Sequence, residues 1–177
     1  MSKPLNELPE ALMEHLRQPN VVVVATVAED GKPALDLLSW VWPLDARTVR
    51  LVISPHFPGG INMRANGKAT LQLIDNELTY EVRGTTRLVK ESCESVRFPE
   101  AMFDLTVEEV RANMFPATHL TGPVPYARDA GTEALHQQLD EAMYGEIRAD
   151  TFCRRFTLLG SFSEIKLLCF RKPRLVS

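Results

Sequence analysis

What the chain lacks narrows it before anything it contains. Its apolar runs all fall far short of the ~20 residues that cross a bilayer. The start, Met1-Ser2-Lys3-Pro4-Leu5-Asn6-Glu7, has no apolar core of the kind a secretory signal needs. A cytoplasmic protein with no membrane partner is expected. No charge of one sign dominates: a net charge of -3 and a pI of about 5.8 leave no basic field to attract duplex nucleic acid. The stripe of basic and aromatic residues used by single-strand grooves is missing too. Cys93, Cys153 and Cys169 are an odd number of cysteines at wide spacing, which suggests neither a disulfide framework nor a metal knuckle. His15, His56, His119 and His136 form no i to i+4 pair and sit near no cluster at metal-ligand spacing, so no metal is expected. The chain carries no Gly-x-Ser-x-Gly elbow, Walker loop, Gly-x-Gly-x-x-Gly fingerprint, internal repeat or low-complexity tract.

What is present is a core. With 177 residues and 45% hydrophobic content the chain can bury one substantial interior, so one domain over 1–177 is expected. From Val21 to Val89 short apolar runs alternate with turns. Val21 to Val27 breaks at Asp30-Gly31-Lys32-Pro33, a hairpin signal, and pairs antiparallel with a strand from Leu35 to Trp42. Runs at Val49–Ser54, Ala69–Ile74 and Leu78–Val89 follow, rich in β-branched residues. They predict a small antiparallel barrel, mainly β with added covering helices. Val21 to Val27 is apolar at almost every position, so both of its faces should be covered, the outer one by a helix or a second subunit. In the next strand Leu35, Leu37, Ser39 and Val41 should point one way, and Asp36, Leu38, Trp40 and Trp42 the other.

Leu5, Leu8, Leu12 and Leu16 recur at helical spacing and predict a helix over 5–18, capped by Asn6. The loop Ser54-Pro55-His56-Phe57-Pro58-Gly59-Gly60 leads into a short helix ended by Asn66-Gly67. Glycines admit a ligand close to the backbone, and free N–H groups at a helix start attract an anion such as phosphate. Asn62 and Arg64 add an amide and a guanidinium fork; a plain strand-to-helix connection is the alternative. His56 on this rim is a possible proton donor. Beyond 90, a helical insert spans 95–149. Thr106-Val107-Glu108-Glu109 reads as a capping box for a helix toward Met114, and a second helix starts near Thr132 with Leu135, Leu139, Met143 and Ile147 on one stripe. Residues 151–159 and 163–170 read as closing strands.

The order of features over residues 20–90 resembles the FMN-binding split barrels related to pyridoxamine 5'-phosphate oxidase. The matching residues are Ala25-Thr26-Val27, the turn Asp30 to Pro33, the strand with Ser39, Val49 to Ser54, Asn62-Met63-Arg64-Ala65-Asn66, Ala69 to Ile74 and Tyr80 to Val89 with Gly84. The resemblance implies a split β-barrel that forms a homodimer with two flavin sites at the subunit interface. Carried over by position, Ser39, Trp40 and Val41 would line the isoalloxazine ring and Ser54 would sit near the ribityl-phosphate end. Gly59, Gly60, Asn62 and Arg64 would serve the phosphate, and Gln72 the polar edge of the ring. Gly59 departs from the family pattern, which often has a basic residue three positions before the helix asparagine. Glycine amides and Arg64 would then hold the phosphate, with Arg83 and Arg87 in reserve. The function implied is an FMN-dependent oxidoreductase acting on a small molecule. The alternatives are a non-catalytic or cofactor-free dimer of the same fold, and a relative using deazaflavin or haem.

Overall fold

The hairpin that the Asp-Gly pair predicts opens the sheet. β1 (Val22–Val27) and β2 (Pro33–Leu38) pair antiparallel with Val27 opposite Pro33 and Val23 opposite Leu37. In their turn Gly31 takes φ +84° and Asp30 Oδ1 accepts the Lys32 N–H at 3.1 Å. The computed structural model describes residues 4–76, 78–114, 117–122, 124 and 126–157, of which 78 and 150–157 by backbone alone. Next come β3 (Val41–Asp45), β4 (Thr48–Ile53), β5 (Lys68–Asp75), β6 (Leu78–Lys90) and β7 (Ala101–Ala112). Among the described residues these seven strands make one antiparallel sheet in the order β2-β1-β5-β6-β7-β4-β3. Curled into a half-barrel and accompanied by three helices, it is the expected mainly-β split-barrel architecture.

The concave face holds the core. Val22, Val24, Val41, Val49, Leu51, Leu71, Phe103 and Leu105 meet there, and each such side chain contributes about 1.5–3 kcal/mol by leaving water. Helix α1 (Glu10–Leu16) adds Leu12 and Leu16 to this core. It is shorter than the predicted 5–18, because Pro9 forces the residue before it to stay extended and becomes the N-cap itself. Leu5 pairs with Val110 as an isolated bridge, and Asn6 caps nothing.

Three further expectations are corrected. The predicted strand 35–42 is two strands on opposite edges of the sheet, separated by a bend at Ser39-Trp40. The bend resets the alternation: Leu38 and Val41 both face the core, whereas Leu35 and Leu37 are 70% and 68% exposed. The capping-box helix at 106–114 is the second half of β7, with Thr106 opposite Thr85 on one side and Thr48 on the other. A four-residue local signal loses to ladders on both sides. Finally, α3 (Glu133–Thr157) runs through 151–157, where a strand was expected. Once a helix is nucleated each added residue gains a hydrogen bond, so a short β-favouring stretch at its end does not stop it. The remainder of the two predicted closing strands lies outside the described residues.

Helix α2 (Pro58–Asn66) ends as predicted. Gly67 at its C-cap has φ +67°, and its N–H donates to the Met63 carbonyl at 3.0 Å. Cys93 is buried, and its N–H donates to the Glu100 carbonyl at 2.8 Å. No helix among the described residues is long and apolar enough to cross a membrane.

Candidate functional site

The bend between β2 and β3 carries Ser39 and Trp40, and α3 is stitched to it by residues four apart. Asp140, Tyr144 and Arg148 recur every fourth position and so lie on one stripe. Asp140 Oδ1 accepts the Trp40 Nε1–H at 2.8 Å, and its other oxygen pairs with Arg128. The Tyr144 hydroxyl donates to the Ser39 carbonyl, and its ring meets that of Trp42 at 5.8 Å between centroids. Burial, helped by the charge of Asp140, pushes the Tyr144 phenol up to about 12, so it stays protonated and a donor. The Arg148 guanidinium lies 5.4 Å from the centre of Trp42. Met143 and Ile147, one residue before Tyr144 and Arg148, pack with Val52, Met102 and Cys93 on the outer face of the sheet.

Between this corner and the end of β4 lies a groove of about 580 Å³. Ser39, Trp40 and Ser54 line it together with Phe98, Glu100, Arg128, His136 and Asp140 from the later half of the chain. Trp40 and Phe98 stack at 6.3 Å between centroids, tilted only 15°. A half-apolar groove of this size with a few converging polar groups is what a planar small molecule needs.

Glu100 is the unusual acid of the groove. Burial pushes its carboxyl from the ordinary value of 4.5 up to about 7. The folded chain therefore holds a proton that the unfolded chain releases, and stability declines as pH rises from 4.5 through 7. Glu100→Gln is expected to remove that decline, measured as urea midpoints at about pH 5 and about pH 8. An unchanged pH slope would contradict it.

The α2 end of the groove is built differently. Pro58 has no N–H, so the first amide α2 can offer is that of Gly59, and it donates to Asp36 Oδ2 at 2.8 Å. A Cβ at Gly59 would lie 2.4 Å from the same oxygen, and one at Gly60 would lie 2.4 Å from the Ser54 carbonyl. Asn62 is buried and donates to Thr26 Oγ1 at 2.9 Å, tying α2 to β1. Arg64, in the last turn of α2, is exposed and pairs with Glu91 at 2.6 Å. Arg83 pairs with Glu81 and Glu109, and Arg87 lies 3.6 Å from Asp104.

The remaining predicted residues sit apart. The Val41 side chain is in the barrel core, and the residue is not among those lining the groove. Gln72 exchanges hydrogen bonds with Asn113 and donates to Thr79 Oγ1 at 2.8 Å, on the far side of β1 from the groove. His56 and His119 are exposed. His15 is not isolated: its Nδ1 is 2.7 Å from Asp75 Oδ2, and its other nitrogen is buried with no partner among the described residues. No group of three or more histidine, cysteine or acidic side chains among the described residues is arranged to hold a metal.

As a seat for a flavin phosphate the α2 end does not fit: its first amide holds a carboxylate and its arginine points elsewhere. The groove lined by Ser39, Trp40 and Ser54, with Trp40 stacked on Phe98, suits a flat aromatic system. Phe98, Glu100, Asp140 and Tyr144 were not foreseen, and nothing local in their sequence marks them.

Comparison with known proteins adds the following. A family model described as pyridoxamine 5'-phosphate oxidase matches residues 8–114. Among solved structures, a candidate pyridoxamine 5'-phosphate oxidase from Lactobacillus delbrueckii is similar at 23% identity and TM-score 0.53, over 61% of this chain and 96% of its own. A variant of HupZ from Group A Streptococcus is similar at 22% identity and TM-score 0.50, over 59% and 98%. HutZ, the haem storage protein from Vibrio cholerae, aligns at 13% identity and TM-score 0.47, over 59% and 94%. At these identities the first two likenesses are of fold. No curated protein matches.

Proposed function

Because the chain belongs to the pyridoxamine 5'-phosphate oxidase family, we propose that its groove receives the ring of a flavin, FMN or a close relative, and that the protein is an oxidoreductase acting on a small molecule. The observation carrying this is that Ser39, Trp40 and Ser54, the positions the family resemblance assigns to the ring and its ribityl tail, line one groove of about 580 Å³. A flavin supplies hydride or electron transfer, and the protein supplies orientation and exclusion of water. In this chain Asp140 fixes the Trp40 indole and Tyr144 fixes the Ser39 backbone. The homodimer belongs to the same proposal. It is supported by the outer face of β1 and β2, where Val27, Leu35 and Leu37 stand exposed on one side of the sheet.

The test is a fluorescence titration of the purified protein with riboflavin and with FMN. Trp40→Ala is expected to weaken flavin binding about tenfold, the equivalent of one ring-stacking contact of ~1.4 kcal/mol. A protein that is colourless as purified and takes up neither flavin would overturn the proposal. That result would favour a cofactor-free dimer, the reading to which the seating of Asp36 on Gly59 lends weight.

A further inference from the structure

We infer that Asp36 determines the specificity of the groove: its carboxylate fills the anion position at the start of α2 and turns the site toward a flavin with an uncharged tail, such as riboflavin, and away from FMN. This rests on the proposal that the groove takes a flavin ring.

The position adjoins the groove. Ile53, which lines it, would lie 3.0 Å from a Cβ at Gly59, and the Phe57 N–H donates to the carbonyl of Ser54, another lining residue. A helix start stabilises one anion through its unpaired amides. Here the first of those amides is already given to Asp36 Oδ2 at 2.8 Å, with the carboxylate packed where any larger residue than Gly59 would strike it. An incoming phosphate would have to displace this internal anion or lie against it, and two anions in contact leave water only with cations to separate them.

Among the described residues of one chain, the arginines nearest this position are already paired. Arg64 is six residues along from Pro58, about 9 Å on the helix axis, and is paired with Glu91. Arg128 on the groove wall is paired with Asp140. Beyond these the groove adds a further carboxylate, Asp129, against one histidine, His136. An isoalloxazine with a neutral ribityl chain meets none of these penalties, since hydroxyls can donate to carboxylates.

Wild type, Asp36→Asn and Asp36→Ala are titrated separately with riboflavin and FMN, following quenching of flavin fluorescence. Wild type is expected to bind riboflavin at least about tenfold more tightly than FMN. Asn, which keeps the shape and the acceptor but loses the charge, should shrink that ratio about tenfold, almost entirely through FMN. FMN binding to wild type as tightly as riboflavin, or an Asp36→Asn ratio equal to wild type, would refute the role of Asp36 while leaving flavin binding intact. Failure of wild type to bind either flavin would remove both. A further measurement needs no variant to fold. The Gly59 amide resonance of wild type should not move on addition of inorganic phosphate, and a saturable shift would overturn the inference.

Discussion

Asp104→Ala is expected to cost the fold about 3–5 kcal/mol, enough to leave little native protein in a domain of ordinary stability. Arg50 has no exposed surface, and Asp104 is 4% exposed. They face each other across β4 and β7, and the guanidinium grips the carboxylate at both ends, Nε to Oδ1 at 2.7 Å and Nη2 to Oδ2 at 3.1 Å. Deleting the carboxylate leaves a buried positive charge whose strongest partner has gone. The third nitrogen of Arg50 donates to the Ile147 carbonyl of α3 at 3.2 Å, so the damage spreads to the helix that covers the sheet and holds Trp40. Urea denaturation followed by circular dichroism measures the loss. Replacing both partners by apolar residues, Arg50→Met with Asp104→Leu, should restore most of it, since the cost lies in the orphaned charge and not in the absence of the pair. A single variant within about 1 kcal/mol of wild type would show that water reaches Arg50.

The second large effect is expected at Gly84. This residue sits in the middle of β6, bonded to β5 on one side and β7 on the other, where the β6–β7 register slips between Arg83 and Gly84. A Cβ placed there would lie 2.1 Å from the Thr106 carbonyl oxygen and 2.7 Å from Leu105 Cδ2. The obstacle is backbone held in a central ladder, so no rotamer change relieves it. Gly84→Ala should therefore reach or exceed the ~3 kcal/mol that marks the upper end of overpacking costs. Gly122→Ala is the control: nothing lies within 4 Å of its Cβ position. That change should fall within about 0.5 kcal/mol of wild type by the same denaturation measurement. Equal midpoints for the two variants would mean that β6 and β7 can part at this point.

Legibility of the sequence followed distance along the chain. The β1–β2 hairpin, the α2 stop at Gly67 and the strands β4, β5 and β6 all announce themselves within a few residues, through a turn dipeptide or a β-branched run. β7 does not, because Thr106 and Glu109 form a sound local helix start and what overrides it is pairing with β4 and β6. The bend at Ser39-Trp40 is hidden for a related reason: the residues from Leu35 to Trp42 contain no glycine or proline to mark a break, and only their separate partners, β1 for β2 and β4 for β3, divide them. At the groove, Ser39, Trp40 and Ser54 were open to inference from the family resemblance. Asp140 and Tyr144 reach the corner from 100 and 105 residues away, and no periodicity connects them to it. Asp36 was visible as a strand residue, but its reach to Gly59 depends on how α2 lies against β1 and β2.

The crossing from β2 to β3 has a mechanical consequence. The chain passes from one margin of the sheet to the other through only two residues, in a tight turn where the Val41 N–H donates to the Ser39 carbonyl at 3.1 Å. Leu37, on the outward side of the first margin, is separated from Trp40 by Leu38 and Ser39 alone. A body that pressed on Leu35 and Leu37 would act within a few residues of the indole, and the fluorescence of Trp40 is expected to register such an encounter from within the groove.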